Sequence, residues 1–328
     1  MIRVEQAGLL TTVQDAGRPG WQHLGVGPAG AADSLSFALA NLLVGNPPAA
    51  PALEFTLRGP TLVFEDSYLV ALCGAPFAVD LDGRVIPRRC PVAVRAGERL
   101  RIGAAPRGCR GYLAVAGGLR VADVLGSAST DLRGGFGGFQ GRALRAGDLL
   151  TTATKGLEGD ERFTPGWRLP WNGPMPDGPR EAPLRMIPGP QWTLLNEATK
   201  ARFLDATFRV DSRSDRMGLR LEGPPLALDA PVELVSAGVA TGTVQLPPDG
   251  GPILLLADRQ TTGGYPRLGE IASVDLPWAA QLRPGDALRF TLCTLEDAQS
   301  AWLAWQRQLA FLHEMLSREF TVPERIGS

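Results

Sequence analysis

The chain has 328 residues, 44% hydrophobic and 20% charged, a globular composition that excludes a disordered protein. Its length exceeds what one hydrophobic core usually serves, so two domains are expected. A formal net charge of −1 leaves no surplus of cation to neutralise a phosphate backbone, which argues against nucleic acid as a partner. No apolar run approaches about 18 residues, and charges flank Val4 at the start, so a cytoplasmic protein without a membrane segment is the expectation.

Cysteine and histidine usage removes further classes. Cys73, Cys90, Cys109 and Cys293 form no C-x-x-C pair and the two histidines, His23 and His313, lie far apart, so no metal site is expected. His313 falls in a predicted terminal helix. That leaves His23 as the one candidate base for a hydrolytic triad, which makes triad hydrolysis an unpromising reading. The cysteines read as reduced core residues.

The 40 glycines and 28 prolines punctuate short apolar runs along the whole chain, a pattern that predicts a mainly β protein with a few helices, as barrels or sandwiches. Near the start, Gly25-Val26-Gly27-Pro28-Ala29-Gly30 formally matches G-x-G-x-x-G. Pro28 interrupts its amide donors and no βαβ alternation follows, so a dinucleotide site is not expected; anion binding at the following helix start stays open. Asp33 caps a predicted helix over 34–44, where Leu35, Ala38, Leu39, Leu42 and Leu43 follow a 3.6-residue period and Gly45 supplies the stop. Strands are predicted over 52–57, 61–64, 68–72, 77–81, 112–115, 184–187, 232–235, 253–256 and 287–292. A weaker helix is predicted over 191–203. The last, over 296–318, repeats Ala298, Trp302, Trp305, Leu309, Leu312 and Leu316; it is expected to pack on its own barrel, with a partner-facing role as the alternative.

Phrases of the type Leu-Arg-x-Gly-Asp recur at 144–148 and 282–286, with a related turn at 94–100, and duplicated β modules explain them economically. The stretch 155–183, rich in Pro and Gly, reads as a linker between an N-terminal half, 1–154, and a C-terminal half, 184–294, followed by a helix and tail at 295–328.

Three polar clusters are candidates for chemistry. The glycine run at 134–141 follows Ser127, Ser129, Thr130, Asp131 and Arg133, and reads either as a mobile substrate loop or as a flexible β connection. At 211–218, Asp211, Arg213, Asp215 and Arg216 sit at a turn, where an arginine can hold a carboxylate or simply pair internally. The densest cluster is Asp258-Arg259-Gln260-Thr261-Thr262-Gly263-Gly264-Tyr265-Pro266, delivered by a buried strand, whose hydroxyls and amides can converge on a carbonyl or carboxylate. A preceding hairpin places Gln245 and Asp249 nearby, Asp249 being equally explained as a turn residue.

Long ordered matches now accumulate. Gly8-Leu9-Leu10-Thr11-Thr12-Val13-Gln14-Asp15-Ala16-Gly17-Arg18-Pro19-Gly20, Ala40-Asn41-Leu42-Leu43-Val44-Gly45-Asn46, Tyr112-Leu113-Ala114-Val115-Ala116-Gly117-Gly118, Asp215-Arg216-Met217-Gly218 and the cluster from Asp258 to Pro266 resemble the biotin-dependent carboxyltransferase family. That family includes the allophanate hydrolase subunit 2 type, the C-type subunits of 5-oxoprolinases and an antagonist of a sporulation-kinase inhibitor. The resemblance implies two cyclophilin-like β-barrel halves plus a C-terminal helix. It also implies a separate subunit 1-type partner, resembling the B-type subunits of 5-oxoprolinases, with a third 5-oxoprolinase subunit in that setting.

The activity implied is ATP-dependent opening of 5-oxoproline to glutamate by a complex in which this chain alone is inactive. The alternatives are carboxyl transfer to urea or a related amide, and regulatory binding of a kinase-inhibitor-like protein. This chain has no P-loop for the ATP and no biotin-attachment Met-Lys pair, so biotin, if used, arrives on another protein. On this reading Asp258, Thr261 and Thr262 are the catalytic candidates. Arg18, Asp33, Arg216, Gln245, Gly263, Gly264 and Tyr265 are the substrate-binding ones, with Arg18 or Arg216 meeting a carboxylate or phosphoryl group. Many relatives carry Ser-Gly-x-Met-Asp where this chain has Ala29-Gly30-Ala31-Ala32-Asp33, so a hydroxyl and a thioether are missing beside Asp33.

Overall fold

Short apolar runs of alternating burial pair through their backbones wherever a turn returns the chain, and here they do so separately in the two halves of the sequence. The computed structural model describes residues 1–154, 182–228 and 234–320. The predicted linker therefore lies outside the described residues apart from 182 and 183, as does the tail at 321–328.

The first half forms two antiparallel sheets. One runs in the order Leu119–Arg120, Leu149–Thr152, Ile2–Gln6, Thr61–Phe64, Arg99–Ile102, Val79–Leu81, Arg84–Val85. The other runs Leu10–Gln14, Ala52–Thr56, Arg110–Val115, Tyr68–Gly74, Pro91–Val94. Ile2, Leu62, Phe64 and Leu100 of the first meet Leu53, Phe55, Leu72 and Leu113 of the second in one buried core. Every residue of Tyr68–Gly74 and Arg110–Val115 is buried, because the opposite face of that sheet is covered too. The cover is helix α1, Ser34–Leu42, whose Leu35, Phe37 and Leu39 pack over Ala71, Cys73 and Tyr112. Asp33 caps it, accepting from the Ser36 amide at 2.9 Å, and Gly45 just beyond its end has φ +74.

The second half closes one eight-stranded sheet in the order Ala287–Leu288, Phe208–Val210, Gly218–Glu222, Ile253–Leu255, Thr243–Gln245, Arg267–Ile271, Leu184–Pro188, Phe290–Leu292. The predicted strand 287–292 is thus two strands broken at Arg289, one on each edge, and the break lets a single segment bring both edges together. Met186, Phe203, Phe208, Val244, Leu268 and Phe290 fill the interior, with the Phe203 and Phe290 rings stacked at 4.8 Å.

Three sequence expectations need correction. The helix predicted over 191–203 is a 3-10 turn, Trp192–Leu194, followed by α2, Glu197–Asp205, because Asn196 caps the later start by accepting from Thr199 N at 2.8 Å. For the strand predicted over 232–235, residues 232 and 233 lie outside the described ones and 234–236 pair with no strand; Ala237–Gly238 instead forms a small ribbon with Thr262–Gly263. Finally, α4, Leu295–Phe320, does not pack on its own barrel alone. It starts on the second half, but Leu312 and Leu316, with Trp305 and Leu309 beside them, join the core under α1 of the first half. A helix of 26 residues is about 39 Å long, enough to strap both halves.

The short α3, Leu276–Ala280, bears on the site. It carries Pro277 in its first turn, touches α1, and hands the chain to Gln281 at the junction of the halves. No helix among the described residues is long and apolar enough to cross a membrane.

Candidate functional site at the junction of the halves

Glu54 interrupts the apolar strand Ala52–Thr56, and its carboxylate is about 1% exposed. A buried acid must be paired and hydrogen-bonded. Its Oε2 accepts from Tyr112 OH and from Ala32 N at 2.8 and 2.9 Å, and its Oε1 meets the Arg216 guanidinium from the other half. Arg216 also grips Asp258 with two bonds of 2.8 and 3.0 Å and donates to the Gly30 carbonyl at 2.7 Å. Burial pushes the Glu54 carboxyl up, but Arg216 and Arg110 outweigh it and hold it below the usual range. Burial likewise opposes the Arg216 charge, yet Asp258 and Glu54 keep it firmly protonated. Tyr112, whose hydroxyl burial pushes well up, remains a donor.

A second bridge lies beside the first. Gln281 accepts from the amides of Cys109 and Arg110 at 3.0 and 2.9 Å and donates to Asp33 Oδ2 at 2.6 Å. Burial pushes the Asp33 carboxyl up to about 6, against the hydrogen bonds from Gln281 and Ser36 that favour its charge. Arg216, backed by Asp258, and Gln281 from one half therefore lock onto Glu54, backed by Tyr112, and onto Asp33 and Arg110 from the other.

In front of this lock opens a cleft of about 340 Å³. It is walled by the loop Gly25, Val26, Gly27 and Ala29, by Asp131, Arg133, Gly134 and Phe136 of the second glycine run, and by Asp258, Arg259, Gln260 and Thr261. Three separate sequence motifs thus meet in one place. Gln22 stitches the walls, donating to Thr261 O at 2.7 Å and accepting from Arg259 at 3.3 Å. Gly30 has φ +89, and a Cβ there would lie 2.9 Å from the Gly17 amide nitrogen, so glycine permits the close approach of these two loops.

The glycine run packs closely against its neighbours and part of it walls the cleft. Gly137 and Gly138 have positive φ and lie so close to Ser129 and Thr130 that no side chain fits, and Asp131 accepts from Arg133 N and Gly134 N at 3.1 and 2.8 Å. The run is folded hard against Ser127–Thr130 neighbours that Asp15 organises through Ser127 Oγ and Ala128 N, both at 2.6 Å.

Of the sequence candidates, Asp258 and Thr261 line the cleft. Arg18 lies behind Phe136, 1% exposed, its guanidinium 4.9 Å from the ring centroid and bonded to carbonyls of Val124 and Ser129. Arg216 and Asp33 are not free to meet a ligand; their polar atoms are spent in the lock, and a carboxylate already occupies the α1 start, so that helix end is closed to anions. Thr262, Gly263, Gly264 and Tyr265 do not wall the cleft. Thr262 and Gly263 pair with Gly238 and Ala237 in the small ribbon, while Thr261 at the bend before it walls the cleft. Gln245 is buried beneath this ribbon, where a Cβ on Gly263 would stand 2.5 Å from its Nε2, and its Oε1 accepts from Gln260 at 3.2 Å. Asp249 caps its own turn, accepting from Gly251 N at 3.1 Å. The Gly25 and Val26 amides bond back to Gln22 and Trp21 carbonyls, and His23 is exposed beside the Gly20 carbonyl, at 3.0 Å. Sequence reasoning passed over Glu54, Arg110 and Gln281; an acid inside an apolar strand was the available signal for Glu54.

Two β halves locked across such a junction define a carboxyltransferase-type architecture. The family described as carboxyltransferase domain, subdomain A and B, matches residues 24–292, and the chain belongs to it. The chain is 39% identical to the C-type subunit of 5-oxoprolinase from Escherichia coli over 97% of its own length and 100% of that protein's. It is 36% identical to the corresponding 5-oxoprolinase subunit of Haemophilus influenzae over 91% and 93% of the two chains. Among solved structures it superposes on the urea amidolyase of K. lactis with a TM-score of 0.85 at 30% identity, covering 95% of this chain but only 20% of that one.

Proposed function

We propose that this chain is the C-type subunit of a 5-oxoprolinase complex. It works with a subunit 1-type partner and a third subunit to open 5-oxoproline to glutamate at the expense of ATP. The observation that carries the reading is full-length similarity to two proteins of that name, joined to a compact cleft that presents an acid, a hydroxyl and arginines.

The reaction breaks the lactam C–N bond, adding hydroxide from water to the carbonyl carbon and a proton to nitrogen. Asp258 is held from behind by Arg216 and suits the role of accepting a hydrogen bond from the ring N–H. The Thr261 hydroxyl suits polarisation of the carbonyl. The loop at 25–30 does not suit a triphosphate, because Gly25 and Val26 spend their amides internally and Pro28 has none. ATP therefore belongs to another subunit, and the chain is inactive alone. Likeness to the urea amidolyase favours, more weakly, a second reading: carboxyl transfer from a carboxybiotin delivered by a partner protein.

The test is ATP-dependent glutamate release from 5-oxoproline by the chain alone and by the chain assembled with its co-purifying subunits, with and without avidin. Activity only in the assembly, indifferent to avidin, is expected. Avidin-sensitive transfer to urea would replace the reading.

A further inference from the structure

Some buried and half-buried arginines of this chain are matched to carboxylates, Arg216 to Glu54 and Asp258, Arg185 to Asp275, Arg142 to Asp148, whereas Arg18 and Arg88 meet backbone carbonyls. Arg259 belongs with the second group but, unlike Arg18 and Arg88, walls the cleft. It is 7% exposed and walls the cleft, yet its Nη1 donates to the Gln260 carbonyl and its Nη2 to the Gln22 amide oxygen, at 3.0 and 3.3 Å. Its Nε has no hydrogen-bond partner among the described residues. Glu270, whose charge acts on it, accepts from the Thr243 hydroxyl at 2.8 Å, and Arg259 makes no ion pair among the described residues. Burial accordingly weakens the hold of Arg259 on its proton.

The acids that wall the cleft make no ion pair with Arg259. Asp258 is neutralised by Arg216, and Asp131 turns its Oδ1 to its own loop amides. Arg133 walls the cleft from an exposed position with no ion pair among the described residues, and Arg18 behind Phe136 is bonded only to carbonyls. A desolvated guanidinium without a carboxylate is costly unless a ligand brings one.

We infer that Arg259, with Arg133 at the exposed edge, reads a free carboxylate on the substrate ring, so the cleft selects a carboxylate-bearing lactam over a neutral amide such as urea. This rests on the function proposed above. Recognition of the carboxylate by Arg259 leaves the ring amide to Asp258 and Thr261, which wall the same cleft.

The assembled complex is assayed with 5-oxoproline and with its neutral carboxamide, and the ratio of kcat/KM for the two is compared between variants. Charge-assisted hydrogen bonds of this kind correspond to about 10- to 100-fold, so Arg259→Gln should lower the preference for the acid by that factor, chiefly through KM. Arg259→Lys should restore part of it. Arg133→Ala, on the surface, should lower it by a smaller factor and decides the matter if Arg259→Gln fails to fold. An unchanged preference in Arg259→Gln or, where that variant does not fold, in Arg133→Ala overturns the inference while leaving the oxoprolinase reading intact. If the wild-type complex releases no glutamate, that reading fails by itself. Binding of the acid and its carboxamide, followed by saturation-transfer NMR, then judges Arg259 independently: acid-selective binding lost in Arg259→Gln supports it, and equal binding of both ligands refutes it.

Discussion

Replacing Arg216 with methionine conserves much of the volume but removes the one cation that faces both Glu54 and Asp258. Arg216 is 5% exposed, and its loss strands a carboxylate that is about 1% exposed and another about 10% exposed. Breaking a buried pair by removing one partner costs about 3–5 kcal/mol. Glu54 keeps Tyr112 OH, Ala32 N and, at 3.8 Å, Arg110, so the lower end, about 3 kcal/mol, is expected. Urea unfolding followed by tryptophan fluorescence measures it. The pH dependence supplies a second reading. In the wild type the Glu54 carboxyl lies below its unfolded value, so its contribution is present above that value and is lost as pH falls through the folded one. In Arg216→Met burial is opposed far less, the folded value moves above the unfolded one, and stability from this group should rise as pH falls from neutrality. The double variant Arg216→Met with Glu54→Gln should recover part of the loss, since one stranded charge is gone. A loss below about 1 kcal/mol for Arg216→Met, or a pH dependence unchanged from wild type, would refute the lock as described.

Other outcomes follow from the same geometry. Asp33, pushed up to about 6 in the folded chain, binds its proton more tightly folded than unfolded; stability from this group should increase as pH falls from 7 toward 4, and Asp33→Asn should remove that component in pH-dependent thermal melts. Leu312→Ala, emptying a site 3% exposed where α4 meets α1, should cost about 2–5 kcal/mol in denaturant unfolding. Thr261→Val should reduce glutamate release by the complex about tenfold or more, whereas Thr262→Ala, outside the cleft wall, should leave it within about twofold; the reverse order would displace Thr261 from its role. Gly30→Ala, with φ +89 and a backbone neighbour at 2.9 Å, should shift the Gly17 loop and lower stability by about 1–3 kcal/mol, measured by thermal unfolding.

Some of this protein is written locally. The capped start of α1 at Asp33, the hairpin between Thr243–Gln245 and Ile253–Leu255, and the punctuation of strands by glycine and proline depend on residues a few positions apart, and the mainly β class follows from them. The motif matches also placed the chain in its family, because long ordered identities carry more information than any periodicity. Other features rest on contacts between residues far apart in the chain. Arg216 reads as a carboxylate-binding residue until Glu54, 162 positions away, is seen to hold it in a lock between the halves. Thr262 and Thr261 look equivalent in sequence, but Thr262 pairs in the ribbon with Ala237–Gly238 whereas Thr261 walls the cleft. The stripe of α4 fits either barrel, and only packing assigns Leu312 and Leu316 to the first half. Local preferences settle backbone shape through short-range sterics and hydrogen bonds, whereas the partner of a buried charge or an apolar face is set by which distant segments exclude water together.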